Sequence, residues 1–191
     1  MTINTKGWGM LKWLWLTAVV LVLDQVTKQW SDAALSLYQA ESLFPYLNLY
    51  LAYNEGAAFS FLSSAGGWQR WFFTTIALVV SVVLVIWLKG LKSHERVSAV
   101  GLALILSGAL GNVIDRILFG HVIDFIQFYY PANSCLPGFA YLPGQTGSVC
   151  VWPAFNVADS AISIGAGLLI FMALREMYLD WKSRKQDQVS S

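Results

Sequence analysis

Two carboxylates stand out by position: Asp124, in Val122-Ile123-Asp124-Phe125, and Asp159, in Phe155-Asn156-Val157-Ala158-Asp159. Both fall where an apolar segment meets a loop, and neither has a sequence-adjacent cation. Ionisable side chains beside a bilayer are costly, rare and functional by default. Two carboxyls that converge cannot both ionise cheaply, so one keeps a proton while the other carries charge. Such a pair suits amide hydrolysis by a water taken up between a general base and a general acid, with no metal. The bland alternatives are a helix cap for Asp159 and a solvated loop acid for Asp124. Asn156, three residues before Asp159, is the better N-cap.

More polar residues recur at helix-like spacing. Asp24 and Lys28 stand four apart, hence on one face, and are expected to pair at an exposed helix end. Lys28 is then expected to snorkel or to meet a lipid or substrate glyceride. Asn112, Asp115 and Arg116 also share one face. Arg116 is permanently charged, so a carboxylate beside it stays ionised, which suits Asp115 to a partner or positioning role. Asn54-Glu55-Gly56-Ala57-Ala58-Phe59 is a polar turn whose Asn54 amide can hold a peptide backbone.

The elements that must position these groups follow from composition. Of 191 residues, 57% are hydrophobic and 12% charged, roughly half the ~25% charged share of soluble domains. Nine tryptophans add to the picture of a polytopic membrane protein. The predicted architecture is one all-α membrane domain, residues 1–191, with spans at about 13–30, 70–88, 97–117 and 157–175. Lys6 and Lys12 before the first apolar run resemble a signal peptide's start. Asp24 and Lys28 occupy the place where a cut is expected, so the segment reads as a retained span. Nine of the twelve basic residues fall on one side of the predicted spans, which the positive-inside rule makes cytoplasmic. Both termini are then cytoplasmic and loops 31–69 and 118–156 are external. Asp24, Lys28, Asn112, Asp115, Arg116, Asn156 and Asp159 all gather at the external boundary, with Asn54, Gly56 and Asp124 in the adjoining loops.

Residues 47–53 and 126–130 alternate in a strand-like way, predicting a small sheet on that side. Trp30, Trp68, Trp71 and Trp152 suit interfacial anchors. Gly56 and the Gly66-Gly67 pair allow tight turns. Cys135 and Cys150 sit in a loop rich in Pro and Gly (Pro131, Pro137, Gly138, Pro143, Gly144). In an oxidising compartment they can pair as a disulfide or stay free. No Gly-x-Ser-x-Gly elbow, phosphate loop or nucleic-acid surface is present, and His94 and His121 fall on opposite sides, against a two-histidine zinc site.

These strings, taken in order, resemble the bacterial lipoprotein signal peptidases (signal peptidase II). Asp24-Gln25-Val26-Thr27-Lys28 looks like that family's first motif, Asn54 to Phe59 its second and Gly111 to Arg116 its third. Val122 to Phe125 and Phe155 to Asp159 look like the fourth and fifth. The resemblance implies a cofactor-free aspartic endopeptidase of the bacterial inner membrane, its site facing the periplasm. It would cut diacylglyceryl-modified prolipoproteins before the lipidated cysteine. Asp124 and Asp159 would be catalytic. Asn54, Gly56, Asn112, Asp115, Arg116 and Asn156 would position substrate and pair, with Asp24 and Lys28 in support. Membrane lipids would be partners, and globomycin-type cyclic peptides inhibitors. The segment between the aspartates is longer than the family pattern implies, which bears on the shape of the external lid. Two rival classes are a proton-relay transporter and a non-enzymatic assembly or lipid-binding protein. A transporter would carry polar groups through the depth of its spans, whereas span two, from Phe72 to Leu88, holds only Thr74, Thr75 and Ser81. An assembly protein would tolerate loss of either aspartate.

Overall fold

The computed structural model describes residues 9–56, 67–142 and 148–190, with side chains through 186. Lys6, Ala57-Ala58-Phe59, Gly66, Pro143 and Gly144 lie outside the described residues. Among the described residues four helices carry the chain: α1 (Leu14–Ala34), α2 (Trp68–Gly90), α3 (Arg96–Leu118) and α4 (Val157–Ser190). A 3-10 turn, Leu11–Trp13, leads into α1.

Three of these, α2, α3 and α4, are long and apolar enough to cross a membrane. Helix α1 has the length but not the apolarity, because Asp24, Gln25, Lys28, Gln29 and Asp32 crowd its second half. Val22, Val79, Ile86 and Ile170 point outward from α1, α2 and α4, each more than half exposed. An apolar exterior of that extent needs a lipid or protein cover. Helix α4 runs past its predicted end near 175 to Ser190. No Gly or Pro interrupts 168–190, and good helix formers such as Leu174, Arg175, Glu176 and Lys182 carry it on.

Helix α3 is the buried centre, packed against α1, α2 and α4. Its small residues make this possible. A Cβ on Gly108 would come within 2.2 Å of the Ala158 carbonyl oxygen, and one on Gly165 within 2.5 Å of the Gly101 oxygen. The α3–α4 contact is therefore a glycine-lined backbone approach, the close packing that small residues give helices in lipid. Gly108→Leu is expected to destabilise the protein by about 1–3 kcal/mol or more, read as a lower unfolding temperature in detergent. An unchanged temperature would refute the close approach.

Among the described residues five antiparallel strands cap one end of the bundle in the order β1-β2-β3-β5-β4. They are β1 (Ala40–Phe44), β2 (Leu47–Asn54), β3 (Val122–Pro131), β4 (Ala140–Leu142) and β5 (Val149–Val151). The two alternating runs are the core of β2 and β3. The flanking strands are too short or too exposed to show a period. Strand β3 also begins earlier than its alternation suggested, so Asp124 is a strand residue and not a loop acid. Register pairs Ala52 with Asp124 and Asn54 with Val122. Past β5, the chain returns to β3 through a bridge between Phe155 and Ile126, just before α4 begins. Asp159, one turn into α4, is thereby delivered beside Asp124.

Candidate active site

The start of α4 fixes one carboxylate. Asn156 is the N-cap: its Oδ1 accepts from the Asp159 N–H at 2.9 Å, and the Asp159 Oδ2 accepts from the Asn156 N–H at 3.3 Å. This reciprocal pair is a capping box with Asp at its third position. The next free donor, the Ala158 N–H, goes to Asp24 Oδ1 at 2.8 Å.

The other carboxylate comes from β3. Asp124 is 3% exposed, and its Oδ1 accepts from Asn156 Nδ2 at 2.7 Å and its Oδ2 from Asn54 Nδ2 at 3.2 Å. Asn156 thus touches both carboxyls, one through its amide and one through its backbone. Burial pushes the Asp124 carboxyl up to about 8, with the charge of Asp159 adding to the shift and Asn54 and Asn156 opposing it. Asp124 therefore holds its proton at neutral pH.

Asn112 on α3 donates to Asp159 Oδ1 at 2.8 Å, while its own Oδ1 accepts from Lys28 Nζ at 2.9 Å and Asn156 Nδ2 at 3.3 Å. Behind it lies a buried ionic cluster. Lys28 Nζ reaches Asp24 Oδ2 at 2.9 Å and Asp115 Oδ2 at 2.8 Å, so its three donors meet three acceptors. Gln25 Nε2 donates to Asp115 Oδ1 at 2.9 Å and to Asp24 Oδ2 at 3.2 Å, and the Ile123 N–H donates to Asp115 Oδ2 at 3.2 Å. Gly111 opens the space: a Cβ there would come within 2.4 Å of Asp24 Oδ2.

Two expectations are corrected by this cluster. Lys28 does not snorkel from an exposed end; it is wholly buried. Its interior partners make burial tolerable, since a buried charge must be paired and hydrogen-bonded. Asp115 partners Lys28 and Gln25 and not Arg116. Arg116 turns away, donating to the Gly56 carbonyl at 2.8 Å and the Asn112 carbonyl at 3.3 Å, with its guanidinium over the Phe73 ring at 5.6 Å. Its Nε has no partner among the described residues.

Asn54 Oδ1 accepts from the Gly56 N–H at 3.0 Å, an Asx turn closing β2. His121 stacks on Tyr53, centroids 4.0 Å apart, and burial lowers its pKa, so it is neutral at pH 7. Cys135 and Cys150 form a disulfide, with Cα atoms 5.5 Å apart. Trp30, Trp68 and Trp71 are more than half exposed, whereas Trp152 packs edge-on against Phe139. The sequence assigns Gln25 no role beyond its place in the Asp24 to Lys28 string; its only signal is its position beside Asp24.

Asp124, Asp159, Asn54, Asn112 and Arg116 line one cavity of ≈ 1660 Å³ that continues between the helices to Ile76 and Ile162. Asp24, Lys28, Asp115 and Asn156 do not line it and act from behind. Among the described residues no His, Cys, Asp and Glu group has the makings of a metal site. The arrangement is two carboxyls, both held by Asn156, on the wall of a cavity large enough for a lipid-sized or peptide ligand, in a helical bundle with an apolar exterior.

The comparisons narrow this class. Residues 16–175 match the family model described as Signal peptidase (SPase) II. The chain is 48% identical over 184 residues to a lipoprotein signal peptidase of Ectopseudomonas mendocina, covering 96% of this chain and 97% of that one. It is 48% identical over 169 residues to a lipoprotein signal peptidase of Pseudomonas syringae pv. tomato, covering 88% of each. It superimposes on a bacterial membrane enzyme solved by the in meso method at 2.3 Å resolution with a TM-score of 0.69. That match has 29% identity and covers 87% of this chain and 89% of that one. The chain belongs to the signal peptidase II family. It is a multi-pass membrane peptidase.

Proposed function

We propose that the chain removes signal peptides from diacylglyceryl-modified prolipoproteins, hydrolysing the bond before the lipidated cysteine with Asp124 and Asp159. The observation that carries this reading is the shared hold of Asn156 on both carboxyls, with Asp124 protonated beside Asp159 on a cavity wall. Asp159 takes a proton from a water as its oxygen attacks the scissile carbonyl carbon. The Asp124 proton hydrogen-bonds the carbonyl oxygen and stabilises the charge that develops there. As the carbon–nitrogen bond breaks, the proton held by Asp159 passes to the leaving amine. Arg116 and Asn54 hold the substrate backbone, and Lys28 acts through Asn112 to aim Asp159.

Helix α1 is the fourth span, its polar second half satisfied internally by α3 and α4. The basic Lys89, Lys92, Lys182, Arg184 and Lys185 lie at the end of the bundle away from the sheet. By the positive-inside rule this charge supports a cytoplasmic reading of that end, with the sheet in the periplasm of a bacterial inner membrane. The diacylglyceryl group then stays in the outer leaflet, where anchoring supplies concentration and register to the cysteine. Membrane lipids flank the same opening, and globomycin-type cyclic peptides would occupy the cavity.

The test is cleavage by purified protein in lipid of a precursor with and without the diacylglyceryl group, across pH. Cleavage of only the lipidated precursor is expected. The sign of the pH effect follows from Asp124: above its pKa of about 8 it loses the proton the mechanism needs, so the rate falls as pH rises through that value. A verified lipidated precursor left uncut would overturn the substrate assignment. A rate still rising past pH 9 would overturn the acid role of Asp124.

A further inference from the structure

The cavity has two kinds of wall. On the helices it is lined by Phe73, Ile76, Ala77 and Ile162, and on the sheet by Phe128, Phe139 and Trp152. Asp124, Ile126, Phe128 and Tyr130 alternate along β3 and so share one face. Phe139 packs edge-on against both Tyr130 and Trp152, at 5.1 Å between centroids in each case, and Phe155 packs on Phe128 at 5.5 Å.

This aromatic wall is built to stay in place. Cys135 is bonded to Cys150, which is fully buried and pairs with Tyr130 in the sheet register. The Leu136 N–H donates to the Tyr130 hydroxyl at 2.7 Å. Gly138, at φ +91°, lets Phe139 approach Trp152: a Cβ there would lie 2.7 Å from the indole ring.

We propose that Phe139 and Trp152 form the subsite for the substrate residues just after the lipidated cysteine, and select small or apolar side chains there over acidic ones. This rests on the proposed reaction. The signal peptide is apolar and stays among the helices, so the helical wall is its side. The mature chain must leave toward water, past the sheet. From Asp124 to Phe128 is about 13 Å at ~3.3 Å per strand residue, so an extended substrate reaches the rings about four residues beyond the scissile bond. Ring faces accept apolar groups, while their negative π-density and the loss of hydration both disfavour a carboxylate laid against them. The disulfide holds the wall at a set distance from Asp124, which makes this a filter and not a pliable lip.

The experiment measures kcat/KM in lipid for two lipidated precursors differing only by Leu or Glu at the third residue after the cysteine. The unaltered enzyme is expected to prefer Leu by roughly tenfold or more, and Phe139→Ala and Trp152→Ala to reduce that preference to roughly threefold or less. A merely structural role would lower both rates and leave their ratio intact, and that result overturns the proposal, as does an unaltered enzyme without preference. Should the alanine variants not fold, a benzoylphenylalanine at position 139 keeps the bulk and reports contact by photo-crosslinking. Attachment to the mature segment supports the subsite; attachment to the signal peptide, or none, overturns it. If the unaltered enzyme cuts neither precursor, the proposed reaction itself fails, and this subsite with it.

Discussion

Asp124→Asn and Asp159→Asn are each expected to lower signal-peptide release by about 10³-fold or more, with the protein still folded. The size follows from removing one half of an acid–base pair, an effect of about 10²–10⁴ for a single positioned group. Each substitution keeps the shape but not the chemistry. Asp124 accepts from Asn54 and Asn156, and Asp159 from Asn112 and the Asn156 N–H. An asparagine can accept on only one side, so one contact at each position turns donor against donor, a cost of about 1–3 kcal/mol. An unfolding temperature must therefore accompany each rate. The double variant is expected to be scarcely worse than either single one, because the pair acts as a unit. A folded single variant that cuts at near-normal rate would remove that aspartate from the mechanism. Asp115 is then the next acid to consider, although it is tied to Lys28, Gln25 and Ile123 and does not line the cavity.

Lys28→Met carries the largest expected effect on stability. Removing one partner from a buried ionic cluster costs about 3–5 kcal/mol, which for a chain of this size means an unfolding temperature lower by roughly 10 °C. Here the loss strands Asp24 and Asp115 together, both almost wholly buried. It also frees Asn112, whose Oδ1 Lys28 holds and whose amide aims Asp159. Activity should therefore fall even in the fraction that remains folded. Adding Asp24→Asn and Asp115→Asn to Lys28→Met is expected to recover part of the lost stability by removing the stranded charges, but not the activity. Equal unfolding temperatures for Lys28→Met and the unaltered protein would show that the cluster does not hold the helices together.

How far these groups could be read in advance differed residue by residue. Helices α2, α3 and α4 were visible because backbone satisfaction in lipid demands long apolar runs, and such runs leave no other reading. The middle of the sheet was visible in β2 and β3, where one face is covered and residues alternate. It was invisible in β4 and β5, three residues each, whose pairing depends on a chain reversal and a disulfide. Asn156 was recognisable as the cap because its spacing to Asp159 is local. Lys28 was misread because its partners Asn112 and Asp115 lie more than eighty residues away, across a gap that Gly111 opens. Arg116 was misread for a similar reason: its acceptor is the Gly56 carbonyl on another element, not the acid beside it in sequence.

What the sequence determined by itself, then, is everything set by local pattern and by the cost of charge near lipid. That includes helices of spanning length, a boundary where polar side chains collect, and two aspartates without adjacent cations. The tertiary structure alone decided which polar groups meet and how deeply each is buried. Burial in β3 raised Asp124, the α3–α4 glycine approach brought Asn112 to Asp159, and the buried Lys28 cluster engaged Asp24 and Asp115. Proton affinity depends on desolvation and on charges within a few ångströms. Those distances are made by packing between helices and strands far apart in the chain.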